Sequence, residues 1–336
     1  MAKDHSGAFA CTGAVIGAGF ASGREIVAFF ARYQQHGSWL VVLAALTMTG
    51  LCLLCMKTAC KNGCDWVNTL CGSRLAAVCP LLLMTLTAGA MISASGHITA
   101  LVWRHSQAYV LGMLGTLLFA GVIGNRSLKA HGAVSALLAI GLLCALLAVL
   151  TKLPLKAVQT ETVFGFKTLV IAGIRAAGYA AMNVVLAIGE IYRTAVSCRK
   201  IRRTAMLFGL MTGMLMMLSY QVYLRFPASK QMAFPMIGLL NGYGKIGYLS
   251  GAALLYLSVV TTLASVLYAL RNAAENRISR REWRWLVVYG IPLGVAGIGF
   301  EGIVDRLYAP AGLICLMIVF LPMMKALRNK SKASFS

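Results

Sequence analysis

Ten apolar stretches follow one another along the chain, each bounded by charges, glycine or proline. They lie near 8–31, 38–56, 75–103, 108–124, 132–151, 166–190, 203–224, 247–270, 284–302 and 308–325. Each is long enough for a helix rising about 1.5 Å per residue to cross a hydrocarbon layer about 30 Å thick, given some tilt or local thinning. The pattern predicts an all-α chain of ten membrane-spanning helices. Two stretches, the first and the sixth, are interrupted by glycine and polar residues.

Composition narrows the class. Hydrophobic residues make up 59% of the 336 positions and charged residues 12%, where a soluble domain carries about 25% charge. That balance argues against a water-soluble enzyme. The formal charge of +22 sits mostly in short connections between apolar runs, so it carries topology information and does not form a nucleic-acid footprint. Of the 31 Lys and Arg, 20 fall on the side of the N-terminus, 9 on the opposite side, and two, Arg24 and Arg175, inside spans. Because basic loops stay cytoplasmic, both termini are expected inside. No cleaved signal is expected at the N-terminus, since the first apolar run leads into further spans.

The two interrupted stretches resemble each other. Gly19-Phe20-Ala21-Ser22 matches Gly178-Tyr179-Ala180-Ala181 as small-aromatic-small-small, half a chain apart. The copies are offset by five spans, so the second crosses the membrane in the opposite sense. Two inverted five-helix halves, 1–151 and 152–336, each opening on a glycine-interrupted helix, are the signature of one class of secondary transporters. Gly17, Gly19 and Gly23 allow backbone angles other residues resist. A helix opened there offers free N–H groups to a carboxylate on one side and free carbonyls to a cation on the other. The competing reading is close helix packing through small residues.

The run Thr12-Gly13-Ala14-Val15-Ile16-Gly17-Ala18-Gly19-Phe20-Ala21-Ser22-Gly23-Arg24-Glu25-Ile26 resembles the opening helix of the YkvI-type bacterial membrane proteins, placed in the amino acid–polyamine–organocation superfamily. The resemblance implies a LeuT-like five-plus-five fold in the bacterial inner membrane, with a small-molecule substrate held at the breaks of helices one and six. It places the substrate carboxylate at the amides of Ala18, Gly19 and Phe20, with Ser22 and Gly23 beside them. Tyr179 and Asn183 then bracket the second break, Asn183 either lining the site or making an interhelical hydrogen bond. Ser93, Ser95, Gly96 and His97 form a polar patch expected to line the same cavity.

The same resemblance implies a sodium ion between first-helix carbonyls, Gly13 and Ile16, and eighth-helix hydroxyls, Ser258, Thr261, Thr262 and Ser265. The competing reading is that these hydroxyls bond their own backbone. The fifth stretch, 132–151, contains no lysine, which argues against a variant with an ammonium in place of the ion. No other cofactor is expected.

Charges within spans default to function. Arg24, Glu25 and Arg175 are expected to face an outer vestibule with one surplus positive charge, favouring an anionic substrate. Glu301 and Asp305 are candidates to pair with an arginine as an outer gate, and Glu190 with Arg193 as an inner gate or topology anchor. Cys52, Cys55, Cys60, Cys64, Cys71 and Cys79 crowd one connection without a paired CxxC spacing and are expected as free thiols. The connection near 225–246 is long enough to serve as a lid.

These features point to a sodium-coupled transporter of amino acids or related small carboxylates working by alternating access. The alternative is a membrane sensor or assembly protein that keeps the fold without transporting. An enzyme is disfavoured because no nucleophile–base or metal-ligand constellation lies in the spans, and no phosphate loop supports ATP-driven transport.

Overall fold

The computed structural model describes residues 2–62, 74–124, 128–152, 164–197, 200–226, 228, 231–232 and 234–324. Among them all regular structure is helical. The expectations at Cys64 and Cys71, and at the side chain of Asp305, lie outside the described residues.

The first stretch is segmented. Helix α1 (Ala2–Val15) ends at Ile16–Gly17; a short α2 (Ala18–Ser22) is separated by Gly23 from α3 (Arg24–Phe29), and a 3₁₀ segment (Ala31–His36) follows. Next come α4 (Gly37–Asn62), α5 (Arg74–Trp103), α6 (Gln107–Gly124) and α7 (Leu128–Lys152). The second half opens with α8 (Phe166–Leu186), α9 (Ile188–Ser197), α10 (Ile201–Leu224), α11 (Pro235–Asn241) and α12 (Gly244–Glu275). Among the described residues six helices are long and apolar enough to cross a membrane: those containing 31–60, 77–103 and 132–152, together with α8, α10 and α12. The apolar segments Gln107–Ile123 and Pro310–Met324 are shorter.

Two expectations change here. The ninth stretch is not one helix. It divides into α13 (Arg281–Trp285), a π-helical turn (Leu286–Gly290), α14 (Ile291–Val295), a 3₁₀ turn (Ala296–Ile298) and α15 (Phe300–Arg306). Pro292 has no N–H for the preceding turn, and Gly299 adopts φ 88°, a conformation favouring glycine. The chain then enters α16 (Tyr308–Cys315) and a second π-helical turn (Leu316–Phe320).

The sixth stretch, in turn, is not broken between Gly178 and Asn183. Helix α8 runs through both residues to Leu186 and bends at Ala187, where the ladder still closes through Ala187 N to Asn183 O at 3.0 Å and Ile191 N to Ala187 O at 2.9 Å. Gly178 serves a close crossing instead. A Cβ on Gly312 of α16 would overlap the Gly178 carbonyl, and one on Gly178 would lie 2.8 Å from Leu313 Cδ2. Small residues here let two backbones approach.

The helices pack in a repeating pattern. α1 lies on α7 as α8 lies on α16, α4 lies on α8 as α10 lies on α1, and α5 lies on α14 as α12 lies on α6. The pairs α4–α10 and α5–α12 join the two sets. Large apolar side chains such as Leu118, Leu137 and Ile171 stay exposed on the outside, as expected where the surroundings are lipid.

Candidate functional site

The site is built on the end of α1. Gly17 N bonds to Val15 O at 2.7 Å and not to Gly13 O, so the Gly13 carbonyl is released from the helical ladder. The Thr262 hydroxyl of α12 approaches it at 3.4 Å and the Ala14 carbonyl at 3.2 Å. Gly17 makes this approach possible, since a Cβ there would sit 3.3 Å from Thr262 Oγ1. The expected carbonyl pair therefore shifts by position: Thr262 reaches Gly13 and Ala14, not Ile16. The other hydroxyls turn to their own helix, Ser258 to Leu255 O at 2.6 Å, Thr261 to Ser258 O at 3.0 Å and Ser265 to Thr261 O at 3.0 Å. A buried hydroxyl in a helix satisfies itself this way at little cost.

Gly23 closes α2 with φ 87°, and the Tyr223 ring packs against it. Tyr223 donates to Ser22 O at 3.2 Å, while the Ser22 hydroxyl donates to Gly19 O at 3.1 Å. Ser22 is thus committed to shaping the bend. Phe20 is fully buried beside it.

Glu25 departs from expectation. Its carboxyl does not face a vestibule. It is 3% exposed and folds back over Gly19, where a Cβ would overlap Oε1. That is where the sequence reading placed a substrate carboxylate. Tyr179 of α8 donates to Glu25 Oε2 at 3.1 Å, so a charge-bearing group withdrawn from water gains a partner from the second half of the chain. Gly19 has no side chain to keep the carboxyl out, which is the physical reason the turn inward is open to it.

Tyr179 and Asn183 do not flank a break; Tyr179 instead reaches Glu25 and the Phe29 and Phe30 rings of the first stretch. Asn183 Nδ2 donates to Tyr179 O at 2.9 Å within α8. Ser95 also faces elsewhere: it donates to Ile92 O at 2.7 Å and Gly112 O at 3.3 Å. Ser93 meets the Tyr109 hydroxyl at 3.2 Å, and His97 packs edge-on to the Tyr109 ring at 5.0 Å. The expected polar patch is therefore the contact face between α5 and α6.

Above Glu25 lies an aromatic layer. The Phe29 and Phe30 rings stand 4.8 Å and 5.3 Å from that of Tyr179. The Arg175 guanidinium sits 5.8 Å over the outer side of Phe29, an attraction of cation to ring face. Arg175 lies one turn before Tyr179 on α8, so both project toward the same side. Beyond Phe29 an open cleft of about 640 Å³ is lined by Arg24, Arg32 and Arg175 with Tyr33, Phe164 and Thr168 among its walls. Arg175 Nε is buried without a hydrogen-bond partner among the described residues.

Arg24 lies 3.4 Å from Glu301 Oε1 of α15 and donates to Met232 O at 3.3 Å. Met232 belongs to the connection before α11 and also lines the cleft, so the described part of the 225–246 segment contributes to its wall. Glu190 is buried 3.6 Å from Arg193, whose guanidinium lies 5.0 Å over the Tyr268 ring. Cys52, Cys55, Cys60 and Cys79 are free.

Phe29, Phe30 and Arg32 were missed as site residues. The signal was present in their spacing, one to two turns past Gly23, but Arg32 reads in sequence as a loop charge.

No family model matches the chain, and no curated protein matches it. Among solved structures it is similar to a manganese transporter of Eremococcus coleocola, crystallised with an aromatic bis-isothiourea compound, at 15% identity and a TM-score of 0.47. The match covers 99% of this chain and 72% of that one. A likeness that loose transfers neither residues nor cargo, and function rests on the geometry above.

Proposed function

We propose that this protein is a secondary transporter of amino acids or related small carboxylates, coupled to sodium and working by alternating access. The reading counts the segmented first and ninth stretches as crossings, giving ten, with both termini cytoplasmic and two inverted halves, 1–151 and 152–336. The matched packing pairs of the two sets support that division. So does the break in α1, since a freed carbonyl at membrane depth is tolerated only where protein, water or ligand meets it.

The observation that carries the reading is the meeting of Thr262 with the carbonyls of Gly13 and Ala14 at the break. A hard cation takes oxygen ligands of this kind. Rotation of one hydroxyl turns its proton away and offers three oxygens where a hydrogen bond now closes the gap.

The cleft presents guanidinium groups, and the buried Glu25 carboxyl offers oxygen acceptors on the other side of Phe29. An amino acid entering from the cleft meets its carboxylate partners first, at Arg175 and Arg32, and an acceptor for its ammonium beneath. Movement of Phe29 connects the two. The Glu25 carboxyl over Gly19 moves aside as the substrate carboxylate reaches the α2 amides.

The test is uptake into proteoliposomes of purified protein, using a labelled amino-acid mixture with an inward sodium or potassium gradient. Uptake above empty liposomes that requires sodium is expected. No uptake in either gradient, with no melting shift by any amino acid, overturns the reading.

A further inference from the structure

We propose that the outer surface between α4 and α10 is a binding site for an anionic phospholipid. Two features meet there. The first is a trough of about 830 Å³ that opens to the outside and is walled almost entirely by apolar side chains. Gly209 and Gly213, four residues apart on α10, set its floor: a Cβ on Gly209 would overlap Thr49, and one on Gly213 would lie 2.9 Å from Ala45 Cβ. The two helices thus touch closely, and larger side chains splay apart above the contact. Leu46, Met206 and Leu210 are 67%, 66% and 69% exposed along it.

The second feature is the basic end. Arg202 and Arg203 line the trough where α10 begins, and among the described residues neither pairs with a carboxylate. From Arg203 to Met217, the last lining residue on α10, a helix rises about 20 Å. That exceeds one leaflet's share of hydrocarbon, about 15 Å. An acyl chain fills a trough of that length and chemistry while its phosphate meets two guanidinium groups, which bind phosphate oxygens in a planar fork. Basic pockets beside membrane helices recognise anionic headgroups in this manner.

A second copy of the chain fits less well. A two-fold contact places the same patch on both sides, and an axis along the membrane normal brings both arginine pairs to one level, where they repel.

The experiment measures lipid retention by native mass spectrometry on the purified full chain, titrated with phosphatidylglycerol or phosphatidylcholine of equal chain length. Preferential retention of phosphatidylglycerol is expected, and Arg202→Gln with Arg203→Gln should weaken it roughly thirty-fold, the sum of two basic contacts to an anionic lipid. Leu210→Trp, which fills the trough and leaves the arginines, should weaken retention of both lipids. It supplies the test if the double variant does not fold. Equal retention of the two lipids, unchanged retention in Leu210→Trp, or full competition by soluble glycerol phosphate overturns the proposal. A dimer captured by oxidative disulfide cross-linking of Leu46→Cys with Leu210→Cys overturns it in favour of a contact between copies.

Discussion

The Tyr179 hydroxyl donates a hydrogen bond to Glu25 at 3.1 Å, joining residues 154 positions apart in sequence. One belongs to the first segmented stretch and the other to the first helix of the second half. Tyr179→Phe keeps the ring stack on Phe29 and removes only this bond. A hydrogen bond to a buried carboxyl is worth about 1 kcal/mol, so the variant should melt measurably lower in detergent. Circular dichroism melting checks the loss; an unchanged midpoint would mean that Glu25 finds another partner.

Thr262→Val is nearly the same shape but cannot donate. It leaves the Gly13 and Ala14 carbonyls without their partner from α12, at a cost of about 1 kcal/mol. Sodium-dependent uptake should disappear, while Thr262→Ser should restore it. Sodium titration of uptake and of melting temperature distinguishes the pair, and a valine variant that keeps its sodium dependence would remove the ion from this position.

Arg175 lines the cleft and lies over the Phe29 ring. Arg175→Gln should raise the concentration for half-maximal uptake by roughly ten- to a hundred-fold, the range set by one charge-assisted hydrogen bond. Stability should fall by no more than the cation–ring contact with Phe29, about 0.5–1 kcal/mol, since Nε has no hydrogen-bond partner to lose among the described residues. Arg32→Gln, at an exposed position, should have a smaller effect of the same sign. Initial-rate uptake curves report both.

The crossing of α8 and α16 allows a structural test independent of transport. Gly312→Ala places a methyl group into the Gly178 carbonyl, and overpacking of this kind costs about 1–3 kcal/mol. Gly50→Ala, where nothing lies within 4 Å, is the matched control. Comparison of their melting curves should show a drop in the first and none in the second.

The membrane character and most helix positions are legible in the sequence because a long apolar run has few other uses. The break at Ile16–Gly17 is legible too, since three glycines lie within seven residues. Gly178 shows the limit. One glycine in a helical run looks the same whether it opens the backbone or admits a neighbour, and Gly312, the residue that decides, is 134 positions away. Glu25 shows another: a carboxylate next to a glycine-rich bend turns outward or inward according to whether a hydroxyl waits inside, and Tyr179 is distant in sequence. Ser95 reads as site-lining because its spacing marks a polar helix face, while the element that covers that face, α6, cannot be read from the spacing. The ninth stretch held its own warning in Pro292 and Gly299.

Glu25 and the Gly19 it covers are six residues apart on one short piece of chain. The obstruction and the place it obstructs therefore travel together whenever the segment tilts, and neither needs a helix to slide past another. Uncovering Gly19 takes rotation about the three side-chain bonds of Glu25, which a single phenol from the opposite half holds in place.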